Sequence, residues 1–118
     1  MAAKDTVGAY GEQVAVTHLL ERGFVVLARN WRCELGEIDI VARDGDCLVV
    51  VEVKTRRSLR FGPPAEAVTA AKLARLRRLT ARWITESGLH PPRVRIDVVA
   101  VLPQRSGAAK VDHVRAVA

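Results

Sequence analysis

The chain has 118 residues, 49% of them hydrophobic, so we expect a single globular domain over residues 1–118 with a core of its own. Lys and Arg number 19 against 13 acidic residues, and the resulting net charge of +6 favours a polyanionic partner such as nucleic acid. Two Trp, two Phe and one Tyr are few, which argues against a surface that binds single strands by stacking their bases.

The sequence shows no sign of membrane insertion or secretion. No apolar run approaches the roughly 18 residues that a membrane-spanning helix needs, and the first residues lack the apolar stretch of a signal peptide. Cys33 and Cys47 stand apart without Cys-x-x-Cys spacing, which is typical of reduced thiols. We therefore expect a cytoplasmic protein that makes no membrane contact.

The first predicted helix runs from Thr6 to Arg22 and ends at Gly23, which suits a left-handed helix cap. Glu12 falls on a stripe of small and apolar residues that would pack against a sheet. A carboxylate on a packed stripe is costly unless a partner compensates its burial. The periodicity is blurred, however, and is equally compatible with an exposed helix acid.

A short strand is predicted from Phe24 to Ala28, and it leads into a segment where Arg29 and Arg32 flank Asn30 and Trp31. Two interpretations of this segment are open. Either the arginines contact phosphate at the edge of a site, or Trp31 anchors the core and the arginines are simply solvated.

The centre of the sequence predicts a β-hairpin. Two strands rich in Val and Ile flank Asp44-Gly45, a strong signal for a two-residue type I′ turn. The unbroken run Val49–Val51 is typical of a central strand that is buried on both faces. A four-residue loop would preserve which side chains face the same way and would shift the pairing of the strands.

This hairpin carries acids where a structural hairpin would have none. With side chains alternating along each strand, one face carries four charged residues. They are Glu37, Asp39, Glu52 and Lys54. In the two-residue register Glu37 lies opposite Glu52 and Asp39 is its diagonal neighbour, whereas the longer loop sets Asp39 directly opposite Glu52. Clustered acids require a cation, and the candidates are Lys54 and a divalent metal.

Basic residues follow the hairpin. Arg56 and Arg57 begin a punctuated loop and are candidates for holding a backbone phosphate, with simple solvation as the alternative. A second helix is predicted from Ala70 to Glu86, with Thr69 as its N-cap and Gly88 at its end. Lys72 lies at the edge of the inward stripe of this helix, where it reaches an anionic centre or extends to solvent.

Two further strands are predicted, at 94–102 and 111–117, giving the element order αβββαββ. That order, with an acid on the first helix and Asp...Glu-x-Lys on the second and third strands, resembles the restriction-endonuclease-like (PD-(D/E)XK) nucleases. Several segments resemble more closely the YraN-like group of uncharacterised bacterial proteins, related to archaeal Holliday-junction resolvases. These segments are Gly11-Glu12, Asn30-Trp31-Arg32, residues 36–42, residues 51–56, Phe61-Gly62 and residues 95–99.

The resemblance implies an α/β fold with a mixed central sheet flanked by helices. It also implies a site in which Asp39, Glu52 and the carbonyl of Val53 bind Mg²⁺ or Mn²⁺. Lys54 would position or activate the attacking water, and Glu12 would be the additional acid that resolvases carry. The residue before Asp39 is Ile38 where the superfamily motif names Pro, a position that takes no part in the chemistry. Resolvases act as homodimers, but the sequence marks no dimer surface.

Three hypotheses follow from the sequence. The first is a metal-dependent endonuclease that cleaves DNA, including branched DNA. The second is a nucleic-acid-binding protein that keeps the fold without catalysis. The third is a protein-interaction domain in which the acids form a satisfied buried network.

Overall fold

A computed structural model describes residues 6–56 and 68–118. The elements follow the predicted order αβββαββ, and the fold is α/β and restriction-endonuclease-like. They are α1 (Thr6–Glu21), β1 (Val25–Cys33), β2 (Gly36–Asp44), β3 (Cys47–Thr55), α2 (Ala70–Ser87), β4 (Arg93–Leu102) and β5 (Lys110–Val114). Neither helix in this part of the chain is both long and apolar enough to cross a membrane.

The five strands form one mixed sheet in the order β1-β2-β3-β4-β5. Strands β3 and β4 are parallel, and the other neighbouring pairs are antiparallel. A parallel pair needs a long crossover, and the segment containing α2 supplies it. Strand β3 is in the middle of the sheet, and its first five residues are buried, as the run of valines predicts.

The two helices pack on opposite faces of the sheet. On one face, Ala15 and Leu19 of α1 pack with Ile40 and Val51 in one apolar cluster. On the other face, Leu79 of α2 packs with a second cluster that includes Val41 and Val50. Since neighbouring residues of a strand point to opposite faces, each central strand contributes to both clusters.

The helix ends are those the sequence predicts. Gly23 follows α1 with φ +85°, and Gly88 caps α2 with φ +73°, a left-handed conformation that glycine adopts without steric cost. The Thr69 hydroxyl accepts a hydrogen bond from the Lys72 amide at 3.2 Å, which satisfies one of the unpaired donors at the start of α2.

Two strand predictions are wrong in length. Strand β1 continues to Cys33, so the segment with Arg29 and Arg32 belongs to the sheet edge and is no connecting loop. Strand β5 ends at Val114 and does not continue to Val117. It stops because Ala116 has φ +54° and its amide donates to the Asp97 carboxylate at 2.9 Å, away from the strand ladder.

A buried chain of polar side chains connects α1, β5 and β4. His18 Nε2 lies 3.0 Å from His113 Nδ1, and His113 Nε2 lies 2.8 Å from Asp97 Oδ2. Asp97 is completely buried, and Arg95 Nε donates to its carboxylate at 3.0 Å. Burial alone would raise the pKa of Asp97, but the hydrogen bonds from His113, Arg95 and the Ala116 amide outweigh it and hold that pKa below its usual value.

Candidate metal and nucleic-acid site

The hairpin turn consists of Gly45 and Asp46, one residue later than the predicted Asp44-Gly45 turn. Asp44 remains in the strand and pairs with Cys47, and its carboxylate accepts a hydrogen bond from Arg95 at 3.0 Å. Gly45, with φ +60°, supplies the left-handed backbone that the turn requires. Asp44 is thus fixed at the strand end, and the turn begins after it.

The resulting pairing is the one that the sequence predicted for a four-residue loop, but it is reached here with a turn of two residues. Ile40 pairs with Val51, so continuing the register by one residue sets Asp39 directly opposite Glu52. Their side chains also meet, because a hydrogen bond to Asp39 contributes to the raised pKa of Glu52. The two acids that the sequence assigned to one site therefore contact each other across the hairpin.

The paired register of β2 and β3 ends at Ile40 and Val51, although both strands run on. Beyond that point the Val53 amide donates to Asp39 Oδ2 at 2.9 Å. A side chain has replaced the backbone carbonyl that would otherwise accept this bond. The Asp39 carboxylate is consequently fixed beside the Glu52–Val53 peptide.

Strand alternation breaks at Asp39. Ile38 belongs to the cluster under α2, whereas Ile40 belongs to the cluster under α1, although two such residues would normally share a face. Asn30, flanked in the register by the pairs Arg29–Ile40 and Trp31–Ile38, has φ +52°. The prediction that Glu37 shares a face with Asp39 assumed an alternation that does not hold here.

Glu52 is the titratable group most affected by this arrangement. Burial, the negative charge of Asp39 and the hydrogen bond between the two carboxyls raise the pKa of Glu52 to about 7, against a smaller opposing effect of Lys54 and Lys72. Two carboxyl groups in contact cannot both carry charge cheaply, so Glu52 keeps its proton to a higher pH than an exposed Glu does.

Two lysines border the acid pair. Lys54 follows Glu52 by two residues on β3, and the first turn of α2 brings Lys72 to the same place. A hydrogen bond from Lys54 and the charge of Lys54 lower the pKa of Lys72, and the nearby Glu52 opposes that shift. The structure thus brings together Asp39, Glu52, Val53 and Lys54, which the sequence had assigned to one site. It also sets Lys72 beside them, the first of the two alternatives that the sequence left open for this lysine.

Glu12 is buried, with only 2% of its surface exposed, so the alternative of an exposed helix acid is wrong. Asn30 Nδ2 donates to its carboxylate at 2.7 Å, and an Arg29 guanidinium nitrogen lies 3.4 Å from it. Because Asn30 stands opposite Asp39 on β1, it connects the acid of α1 to the strand that carries Asp39. The sequence motif contained Asn30 but gave no sign of this role.

Close packing brings α1 to the end of β3. A Cβ atom added at Gly11 would lie 1.7 Å from Thr55 Oγ1 and 2.8 Å from Thr55 Cβ, distances that only a glycine avoids. Gly11 therefore lets the helix approach the strand at the residue after Lys54. Thr55 escaped prediction because its role depends on this contact between two distant parts of the chain.

The other predicted phosphate-binding residues have diverse surroundings. Arg29 also donates to Gln13 at 3.4 Å, and Arg32 lies 3.4 Å from Glu37 with about half of its side chain exposed. The Arg56 amide donates to the Val101 carbonyl at 2.9 Å, extending the pairing of β3 with β4. Arg57 and the Phe61-Gly62 motif lie outside the described residues.

The donor set fits a small divalent cation. In residues 6–56 and 68–118, no group of three or more His, Cys, Asp or Glu side chains is placed to hold a metal ion. Asp39 and Glu52 are two carboxylates in contact, so a cation at this position would have them as donors, with the Val53 carbonyl as a third oxygen. Mg²⁺ commonly keeps several waters and takes one or two carboxylates, and a positive charge would relieve the repulsion between these two acids.

The αβββαββ order and the acids at the opening of the central hairpin define a restriction-endonuclease-like α/β protein. A model of the uncharacterised protein family UPF0102 matches residues 11–101, which include all these acids and lysines. The chain belongs to this family.

Relatives in the family align over nearly the entire chain. The chain is 63% identical over 117 residues to a UPF0102 protein of Beutenbergia cavernae, covering 99% of both chains. It is 64% identical over 116 residues to one of Kineococcus radiotolerans, covering 98% of this chain and 95% of the relative. A UPF0102 protein of Frankia alni is 52% identical, with 98% and 96% covered.

Proposed function

We propose that this protein is a metal-dependent endonuclease that hydrolyses phosphodiester bonds in DNA, including branched DNA. The observation that carries the proposal is the contact of Asp39 with Glu52 where β2 and β3 stop pairing, with Lys54 on the same strand. This arrangement supports metal-assisted hydrolysis because it joins two hard anionic ligands to an adjacent ammonium group.

Each residue has a distinct task in the proposed reaction. The Val53 amide orients the Asp39 carboxylate, and Glu52 and the Val53 carbonyl complete the protein's set of oxygen donors. Bound Mg²⁺ or Mn²⁺ would supply charge neutralisation at the phosphate and a more acidic water. The Lys54 ammonium would hold the attacking water or stabilise the charge that develops on the phosphate oxygens.

The basic balance of the chain supports a polyanionic substrate. The net charge of +6 raises the local concentration of DNA around the protein, and Arg32 and Lys72 stand near the ends of the strands that carry the acids. Contacts between these two side chains and phosphates would hold the DNA backbone without reading its sequence.

Cleavage of labelled DNA tests the proposal. The wild type is incubated with Mg²⁺ and duplex, single-stranded or four-way-junction DNA, beside Asp39→Ala, Glu52→Ala and Asp46→Ala. The last variant removes an exposed acid at the hairpin turn and serves as the control. We expect cutting by the wild type and Asp46→Ala only. Equal cutting by all four proteins would indicate contamination and contradict the proposal.

One observation favours a second candidate function, nucleic-acid binding without catalysis. The bond from the Val53 amide and the hydrogen bond with the Glu52 side chain satisfy Asp39 without a metal. In a binding protein of this kind, DNA affinity would fall steeply with salt and would survive Asp39→Ala, and no variant would cut DNA.

A further inference from the structure

Helix α2 carries its charges against its own dipole. Five cations lie between positions 72 and 82, whereas the first turn has no acid and the last turn has no base. They are Lys72, Arg75, Arg77, Arg78 and Arg82. Cations are disfavoured in the first turn at the positive N-terminal end of a helix, so Lys72, with no acid in that turn, opposes helix stability. A local rule broken in this way is typical of a functional surface.

Three of the arginines share the flank of α2 that faces the β1–β2 turn. A Cβ added at Gly36 would lie 3.7 Å from Arg75 Cδ, and Arg82 forms an ion pair of 2.7 Å with Glu34. Arg78 stands three residues after Arg75 and four before Arg82, so it belongs to the same flank. Arg77 points to the other side of the helix.

Two arginines of this flank have no acidic partner among the residues that the structure describes. Arg82 is engaged by Glu34 and by Glu86, but no carboxylate of the described residues forms an ion pair with Arg75 or Arg78, and both are exposed. One turn before Arg75, Lys72 reaches the acid site. The unneutralised charge thus continues from the site along the outside of the helix.

We propose that Arg75 and Arg78 bind successive phosphates of a DNA duplex and lead its backbone to the Asp39–Glu52 site. This inference rests on the proposed function, since the duplex would be the substrate. The two residues are separated by a helix rise of about 4.5 Å, which long arginine side chains bridge to adjacent phosphates. Among the aromatic residues that the structure describes, only Tyr10 on α1 is exposed, so α2 offers no surface for stacking unpaired bases.

The salt dependence of duplex binding tests this inference. A fluorescein-labelled DNA duplex is titrated in EDTA, which prevents metal-dependent cutting, with the wild type, the double variant Arg75→Gln/Arg78→Gln, and Arg77→Gln. The last variant removes an exposed arginine from the opposite flank of the same helix, and Gln preserves helix propensity in every case. Circular dichroism checks that all three proteins are folded.

Each phosphate contact contributes about 0.9 to the slope of log affinity against log salt. We therefore expect the slope of the double variant to be smaller in magnitude by about 1.8 and that of Arg77→Gln to be unchanged. An unchanged slope in the double variant, or equal effects on both flanks, would overturn the inference. If the double variant shows the smaller slope but the wild type never cuts DNA, the nuclease proposal is refuted and the phosphate-binding surface stands. If the wild type cuts DNA but the double variant binds it with an unaltered slope, the surface is refuted and the nuclease proposal stands.

Discussion

The Asp39 carboxylate accepts a hydrogen bond of 2.9 Å from the Val53 amide, at the point where the two strands of the hairpin stop pairing. That bond holds the acid beside Glu52 and fills the gap in the ladder. An uninterrupted antiparallel hairpin would close this gap with backbone bonds, because its ladder pairs the amides of one strand with the carbonyls of the other. The opening instead brings the carboxyl oxygens of Asp39 on β2 and Glu52 on β3 to one position.

The contact between Gly11 and Thr55 predicts a large effect of a small substitution. Gly11→Ala places a Cβ within 1.7 Å of Thr55 Oγ1, and we expect the free energy of unfolding to fall by roughly 1–3 kcal/mol. Guanidinium denaturation measures the change. In a Thr55→Gly background the same substitution should be neutral or stabilising, since Ala favours helix. Equal destabilisation in both backgrounds would refute the packing account.

The burial of Asp97 predicts that neutralising it costs more stability than neutralising an exposed aspartate. Asp97→Asn removes the buried charge that accepts hydrogen bonds from Arg95 and His113, while Arg95 keeps Asp44 as a second carboxylate partner, and we expect a loss of about 1.5–3 kcal/mol in the free energy of unfolding. Asp46 also pairs with an arginine, Arg93, but both side chains are exposed. Asp46→Asn should therefore leave stability almost unchanged, and a similar loss in both variants would contradict this account.

The pH dependence of stability should contain two opposing slopes. Burial, with Arg22, His113 and Arg115, lowers the pKa of His18 from 6.5 to about 4, so His18 takes up a proton more readily in the unfolded chain. Stability from this group is lost as the pH falls through that range. The pKa of Glu52 is raised from 4.5 to about 7, so the folded protein binds its proton more readily, and stability is lost as the pH rises.

Single variants separate these two effects. In EDTA, the free energy of unfolding of Glu52→Gln should rise with pH between about 4.5 and 6.5, because only the His18 slope remains there. His18→Gln should show the reverse trend, and the wild type should be nearly flat. Denaturation at a series of pH values gives all three curves, and slopes of the same sign in both variants would be inconsistent with the two pKa shifts.

The sequence predicted the features that local patterns control. Hydrophobic periodicity and cap residues placed α1 and α2, and strand alternation placed Glu52 and Lys54 together. The pairing of the hairpin is shifted by two residues from that of the predicted Asp44-Gly45 turn, because Arg95, from a distant strand, holds Asp44 in β2. No local pattern carries such a contact.

Other features depended entirely on tertiary structure. His18 and His113 are 95 residues apart in sequence and 3.0 Å apart in space, and neither belonged to a recognisable motif. The positive φ of Asn30 and the break in alternation at Asp39 arise where two strands meet, so the position of Glu37 was beyond prediction. The acids of the site were identifiable, whereas the residues that orient them were not.

Titration with Mn²⁺ tests the central claim, that Asp39 and Glu52 hold a divalent cation. Calorimetry of the wild type should show one site per chain, lost in Asp39→Ala and kept in Lys54→Ala, because removing a neighbouring positive charge does not weaken cation binding. Binding should also release a proton near neutral pH, since the raised pKa of Glu52 keeps this side chain partly protonated there and the metal displaces that proton. Equal Mn²⁺ binding by the wild type and Asp39→Ala, or none by the wild type, would contradict the account.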